Sequence, residues 1–229
     1  MKKLGVVGVC IGGVEEFYPH IVRKMIVDTG DSPQFIVNQL EFSQVNHAFD
    51  EFAKGRSDNL ISLILSAVEL LVSANVDYVL IPNNAAHVVI DEVKEKSPIK
   101  VLTMFEAVEA HCRANHYSRV LTLGSKWVME PGSFQMALKN SGLHTVNMND
   151  SDIILIHDAI MEAMQHGSIP HDIGKAIIEL ALAEHQSEPY DAIVMACSDI
   201  VKLFKNNDVS IPTINTMKVY ADYVSSLMV

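Results

Sequence analysis

The chain has 229 residues with 17 basic and 28 acidic side chains, a formal net charge of −11, and is 49% hydrophobic and 20% charged. That apolar content excludes a disordered polymer, three cysteines exclude a disulfide scaffold, and the acidic balance argues against a nucleic-acid partner. Cys10, Cys112 and Cys197 stand too far apart for a metal knuckle, their odd number suits a reducing cytoplasm, and the histidines show no ligand spacing.

Met1-Lys2-Lys3 ahead of an apolar stretch from Leu4 to Val14 has the outline of a secretory leader. No small-x-small cleavage site follows and Glu15-Glu16 interrupts it, so a buried first strand is expected. Short β-branched runs then alternate with longer amphipathic ones. Strands are predicted at 4–9, 34–40, 78–81, 100–102, 119–123, 145–146, 192–195 and 213–214. Helices are predicted at 15–29, 59–74, 85–96, 105–115, 131–141, 152–165, 171–185 and 217–228. The longest other apolar stretch, 60–72, contains Ser62, Ser66 and Glu69, too short and polar to span a bilayer; a soluble cytoplasmic protein without membrane contact is expected. Uninterrupted apolar strands joined by helices mean α/β architecture with parallel sheets covered on both faces. Such sheets bind ligands beyond the carboxyl ends of their strands. No glycine-rich phosphate loop is present, since Gly5, Gly8, Gly12 and Gly13 do not form GxGxxG.

The two halves repeat each other. Asp77-Tyr78-Val79-Leu80-Ile81-Pro82-Asn83-Asn84 matches Asp191-Ala192-Ile193-Val194-Met195-Ala196-Cys197-Ser198 at an offset of 114. Gly5-Val6-Val7-Gly8 matches Leu121-Thr122-Leu123-Gly124 at 116, and Thr103-Met104 matches Thr216-Met217 at 113. Aliphatic strands resemble one another by composition, so it is the shared offset that argues for duplication. Two similar α/β halves are expected, residues 1–104 with 215–229 and residues 105–214, with the site in the cleft between them.

The segment Ile81-Pro82-Asn83-Asn84-Ala85-Ala86-His87 resembles the first signature of the aspartate/glutamate racemase superfamily, aliphatic-Pro-Cys-Asn-Thr-x-His. Met195-Ala196-Cys197-Ser198-Asp199-Ile200 is similar to the second, Gly-Cys-Thr-Glu followed by an aliphatic. The resemblance spans nearly the whole chain, and its terminal histidine points to the aspartate racemase branch. The opening Gly5-Val6-Val7-Gly8-Val9-Cys10-Ile11-Gly12-Gly13-Val14 resembles the first loop of the glutamate racemases, which carries Asp and Ser where Gly8 and Val9 stand. The resemblance implies a pseudo-symmetric parallel-sheet fold and α-proton transfer on a small acidic amino acid by two thiols, without pyridoxal phosphate, metal or other cofactor. It also allows a homodimer. A carbanion beside a carboxylate needs donors aimed where charge accumulates. A thiol of ordinary pKa about 8.5 needs local amides or a helix N-terminus to become a base.

On this resemblance Cys197 is the working acid or base, and Asn83 occupies the place of the other thiol. An asparagine amide donates hydrogen bonds but neither gives nor takes a proton near neutral pH. A slow or one-directional enzyme is therefore expected, since general acid–base participation contributes roughly 10²–10⁴-fold. Asn84, Ala85 (in place of a threonine), Ser125, Ser198, Asp199 and His87 fall at positions implied to face the substrate. Each has a structural alternative: helix capping for Asn84, Ser125 and Ser198, and support of the elbow backbone for His87. Cys10, at the carboxyl end of the first strand, is either a compensating thiol or an apolar filler, and Cys112 a buried helix residue. Lys54 and Arg56, after the second strand, and Lys126 are the candidate cations for an acidic substrate. Two further functions remain open: a single-cysteine decarboxylase of the same superfamily, and a non-catalytic dicarboxylate binder.

Overall fold

The computed structural model describes residues 2–130, 132–205, 207 and 209–228. The chain forms two compact units, one running to Ala107 and resuming at Met217, the other Val108–Thr216. The sequence repeat places the boundaries two or three residues away, at 104 and 214.

The first unit contains β1 (Lys3–Gly8), α1 (Ile11–Thr29), β2 (Gln34–Gln39), α2 (Phe42–Ala53), α3 (Asp58–Ser73), β3 (Tyr78–Leu80), a 3₁₀ turn (Ala85–Val89), α4 (Ile90–Lys96), β4 (Val101–Leu102) and the start of α5 (Met104–Ala114). The second contains β5 (Arg119–Leu123), α6 (Lys126–Met129), α7 (Ser133–Asn140), β6 (His144–Val146), α8 (Asp150–His166), α9 (His171–Ser187), β7 (Ala192–Met195), α10 (Ser198–Lys205) and β8 (Thr213–Asn215). The final helix, α11 (Thr216–Ser226), runs back into the first unit.

Each unit holds one four-stranded, wholly parallel sheet, ordered β2-β1-β3-β4 and β6-β5-β7-β8. The duplication is thus a duplication of topology. β1 is buried from Leu4 to Gly8 because both faces are covered, whereas β2, at the edge, has only exposed and half-buried positions. α1 buries Gly13, Phe17, Ile21 and Met25, one face at i+4 spacing, and stops where Gly30 takes φ 79° and returns its N–H to the Ile26 carbonyl. In the second unit α8 and α9 press Ile153, Ile156, Ile160, Ile177 and Ala181 against Leu121, Leu123, Ile193 and Met195 of the sheet.

The repeat extends to single atoms. Asp77 Oδ2 accepts the Lys3 amide at 2.7 Å, and Asp191 Oδ2 accepts the Ser118 and Arg119 amides at 2.6 and 2.9 Å. Each aspartate anchors the beginning of the neighbouring central strand, and in both the donated amides hold the carboxyl below its ordinary range. Burial of Tyr220 between its contacts to Ile81 and Leu102, and a ring contact with Phe17 at 5.2 Å, fasten α11 to the first unit.

Four elements differ from the sequence expectation. α2, the one-turn α6 and α10 were not expected as helices, although Val45, Ala48 and Phe49, Val128 and Met129, and Ile200 and Phe204, are their buried faces; α2 begins without a side-chain cap bond. The helix expected at 85–96 is broken, because the His87 ring occupies the Asn83 carbonyl that an α-helical i+4 amide would use. His87 N–H instead turns to the Asn84 carbonyl at 3.1 Å, a 3₁₀ bond. The helix expected from Pro131 begins outside the described residues; α7 is seen from Ser133. Among the described residues no helix is long and apolar enough to cross a membrane.

Candidate active site

In a sheet ordered 2-1-3-4 the chain leaves the two central strands toward opposite faces, and the crevice at their carboxyl ends is the natural ligand site. Here those ends are β1 and β3 in the first unit and β5 and β7 in the second. Val9-Cys10, Ile81-Pro82-Asn83, Gly124-Ser125 and Ala196-Cys197 follow them directly.

In the first unit Cys10 is half-buried and occupies the N-cap position of α1 in extended conformation. Asn83 is held at every polar atom. Its N–H donates to the Ile81 carbonyl at 2.7 Å, its carbonyl accepts from His87 Nδ1 at 2.8 Å, and its Oδ1 accepts from Ala86 N at 2.8 Å. This last bond fixes the amide orientation, leaving Nδ2 as the donor to Cys10 Sγ, 3.1 Å away. The elbow side chain and the first-strand thiol therefore form one pair, which sequence spacing of 73 residues did not reveal. Gly13 permits the approach: a Cβ there would stand 2.1 Å from the Pro82 carbonyl oxygen. Its signal in the sequence was the Gly12-Gly13 pair opening a helix, where glycine has no propensity to be.

His87 is wholly buried, and both ring nitrogens serve backbone. The Met104 amide donates to Nε2 at 3.0 Å, so the proton resides on Nδ1, which donates to Asn83. Burial lowers its pKa to about 4. Both contacts are those of the structural alternative, support of the elbow backbone. Asn84 is buried beside it, while Ala85 is half-buried at the start of the 3₁₀ turn and brings no hydroxyl.

In the second unit Cys197 is half-buried at the N-terminal end of α10, its carbonyl accepting from Val201 N at 3.0 Å. Ser198 opens that helix, half-buried. Asp199 pairs with Lys202 one turn on, Nζ to Oδ1 2.9 Å, so its cation comes from its own helix. The Ala196 amide donates to the Leu123 carbonyl at 2.8 Å, and a Cβ on Gly124 would lie 3.2 Å from Ala196 Cβ, which sets Ser125 and Cys197 on adjacent strand exits. Ser125 is 7% exposed, makes no cap bond, and its Oγ has no hydrogen-bond partner among the described residues. Plain N-capping is thereby removed as its role.

Of the expected cations, Lys54 and Arg56 lie after α2, not at the exit of β2, and both pair with Glu51. Arg56 foremost, they hold that carboxyl at about 2. Lys126 has no acidic partner among the described residues; its Nζ lies 5.7 Å from the Trp127 ring centroid, and its amide points at His157 Nδ1, 3.5 Å away. Trp127 and His157 meet edge to face at 5.1 Å. Burial, then Lys126, lowers the pKa of His157. Neither Trp127 nor His157 was singled out by sequence; a lone aromatic and a lone histidine carry no spacing signal. Cys112 is fully buried and burial raises its thiol to about 11, an inert position. Among the described residues no three His, Cys, Asp or Glu side chains gather as metal ligands would.

The class is thus α/β, two parallel sheets of one order with a cysteine at a central strand exit of each unit. The Asp/Glu/Hydantoin racemase family profile matches residues 6–224, and the chain belongs to that family. Solved structures agree on the fold. A Yersinia pestis protein classed with the Asp/Glu racemases matches at TM-score 0.87 and 19% identity over 99% of both chains. An aspartate racemase homologue from Pyrococcus horikoshii OT3 matches at 0.78 and 20%, over 99% of both chains. The Picrophilus torridus aspartate racemase matches at 0.76 and 17%, over 99% of this chain and 94% of its own.

Proposed function

We propose that this protein is an amino-acid racemase acting on small acidic amino acids without a cofactor, with Cys197 as a proton-transfer group and the Cys10–Asn83 pair supplying the other. The observation that carries it is the hydrogen bond from Asn83 Nδ2 to Cys10 Sγ. The elbow position that lacks a thiol reaches one, and the residue at that position cannot itself move a proton near neutral pH.

In this scheme one cysteine, as thiolate, takes the α-proton and becomes a thiol; the substrate carbanion takes a proton from the other cysteine, which becomes a thiolate. Net charge is conserved and no electrons leave. Ser125 Oγ and the amides at the start of α10 donate to the substrate carboxylates, and Lys126 supplies positive charge. The two thiols differ in surroundings, so kcat and KM differ between the enantiomers while kcat/KM, tied to an equilibrium constant of one, stays equal.

Incubation of the protein with L- and D-aspartate and glutamate in deuterated water tests this. Deuterium enters the α-position from at least one enantiomer, and Cys197→Ser abolishes conversion of one enantiomer into the other. Absence of α-deuterium with all four substrates would overturn the proposal, and binding of the same dicarboxylates by thermal shift would then assign the chain as a binder.

A further inference from the structure

We infer that His87 and Tyr220 are positioning residues that lock the first elbow, and through it Cys10, to the segment by which the chain leaves the first unit. Two bridges, each made by one side chain, run from the elbow to residues 102–104. Tyr220 Oη accepts from Ile81 N at 3.2 Å and donates to the Leu102 carbonyl at 2.6 Å. His87 donates from Nδ1 to the Asn83 carbonyl at 2.8 Å and accepts the Met104 amide on Nε2 at 3.0 Å.

Both side chains are fully buried, and every polar atom of each has its partner in backbone, so neither is free to rotate toward a ligand. Buried backbone groups demand such partners. The Met104 amide is the more telling one, because it is among the first amides of α5, which an intrahelical bond cannot satisfy. Its neighbour Thr103 is served locally by a capping box, Thr103 N to Glu106 Oε2 at 2.9 Å and Glu106 N to Thr103 Oγ1 at 3.2 Å. Met104 instead reaches back to an imidazole 17 residues earlier. The consequence lies one bond further: with its carbonyl held by His87 and its Oδ1 by Ala86, Asn83 can only present Nδ2 to Cys10 Sγ.

This deepens the racemase proposal but is tested without turnover. The rates at which Cys10, Cys197 and Cys112 are alkylated by iodoacetamide in the native protein are followed by peptide mass spectrometry in wild type, His87→Asn, His87→Gln and Tyr220→Phe. Asparagine keeps a donor where Nδ1 stood, whereas glutamine keeps an acceptor where Nε2 stood and loses the bond to Asn83. Cys10 alkylation in His87→Gln and Tyr220→Phe rises about fivefold, the factor that loss of one ordinary hydrogen bond releases. His87→Asn stays within about twofold of wild type on the same scale, as the bond to Asn83 survives. Cys197 and buried Cys112 stay unchanged in all variants. An unchanged Cys10 rate in His87→Gln overturns the inference. So does a parallel rise at all three cysteines, which marks loss of the fold instead of release of the elbow. Either result leaves the deuterium test of the racemase proposal untouched.

Discussion

The carboxamide of Asn83 and the thiol of Cys10 meet at 3.1 Å, with the amide turned so that its donor faces the sulfur. A neutral donor that can neither accept nor release a proton thereby stands beside a group that can do both. Replacing it discriminates between the two functions of that position. Asn83→Ala removes the donor and leaves Cys10; initial rates of α-deuterium exchange are expected to fall roughly tenfold, the effect of one hydrogen bond to a charged group. Asn83→Cys places a thiol on the elbow itself and is expected to raise kcat/KM for both enantiomers by about 10²-fold, the lower bound of a gained general acid or base. Loss of the α-proton signal by NMR in deuterated water measures the first, and circular-dichroism time courses started from each enantiomer measure the second.

His87 makes stability depend on pH. Its folded pKa of about 4 lies below the ordinary value of 6.5, chiefly through burial, with the Asn83 carbonyl and Glu106 opposing that and Lys94 adding to it. Phe105 covers the ring at 5.1 Å and the Met104 amide occupies Nε2. Between these two pKa values the unfolded chain binds the extra proton and the folded chain does not. Stability is therefore full above pH 6.5 and declines as pH falls toward 4, by on the order of 3 kcal/mol for this group. In urea titrations across that range, His87→Asn is expected to be less stable at pH 7 and to lose this part of the acid slope.

Asp191 contributes with the same sign but lower on the scale. Its carboxylate accepts two amides and the Ser118 hydroxyl, and those bonds pull its pKa below the ordinary carboxylate value. The stabilisation is complete above that ordinary value, near pH 4, and is lost as pH falls through the depressed one. Asp191→Asn keeps an acceptor but not the charge. A loss of roughly 1 kcal/mol at pH 7 is expected, with a flatter acid limb below pH 4.

What was legible in the sequence was whatever repeats locally. Apolar runs identified all eight strands seen among the described residues, and the common offset of the two halves appears in the matching sheet orders. The elbows were legible because strand, turn and helix follow one another within ten residues. The pairings across long separations were not: Cys10 with Asn83, Tyr220 with Ile81 and Leu102, and Met104 with His87 each depend on the sheet order, which no window of sequence contains. The role of His87 was ambiguous for the same reason, since a histidine one turn past an elbow looks alike whether its ring meets a ligand or a backbone amide.

Ser125 offers a test in which stability and function move oppositely. Its Oγ is buried without a hydrogen-bond partner among the described residues, a cost of about 1–3 kcal/mol that a purely structural position would not retain. Ser125→Ala is expected to leave thermal stability equal or higher while raising KM for the acidic substrate several-fold, about 1 kcal/mol of lost binding. Differential scanning calorimetry and saturation kinetics on the same preparation give both quantities. A destabilised variant with unchanged KM would mean that the hydroxyl serves the fold.

Gly13 is the residue on which the geometry of the first elbow depends most directly. A methyl group there would lie 2.1 Å from the Pro82 carbonyl oxygen, a contact between backbone atoms that no side-chain rotation relieves, and 3.6 Å from Cys10 Sγ. Either α1 retreats, carrying Cys10 with it, or the elbow does, carrying Asn83; in both cases the 3.1 Å contact is broken. Alanine would ordinarily favour a helix over glycine by about 1 kcal/mol, so the sign of the effect is itself informative. Gly13→Ala is expected to destabilise by about 1–3 kcal/mol in spite of that gain, the cost of overpacking. It is also expected to reduce deuterium exchange at least as far as Asn83→Ala does, and combining the two substitutions should add little to the loss in exchange, because both act on the same contact.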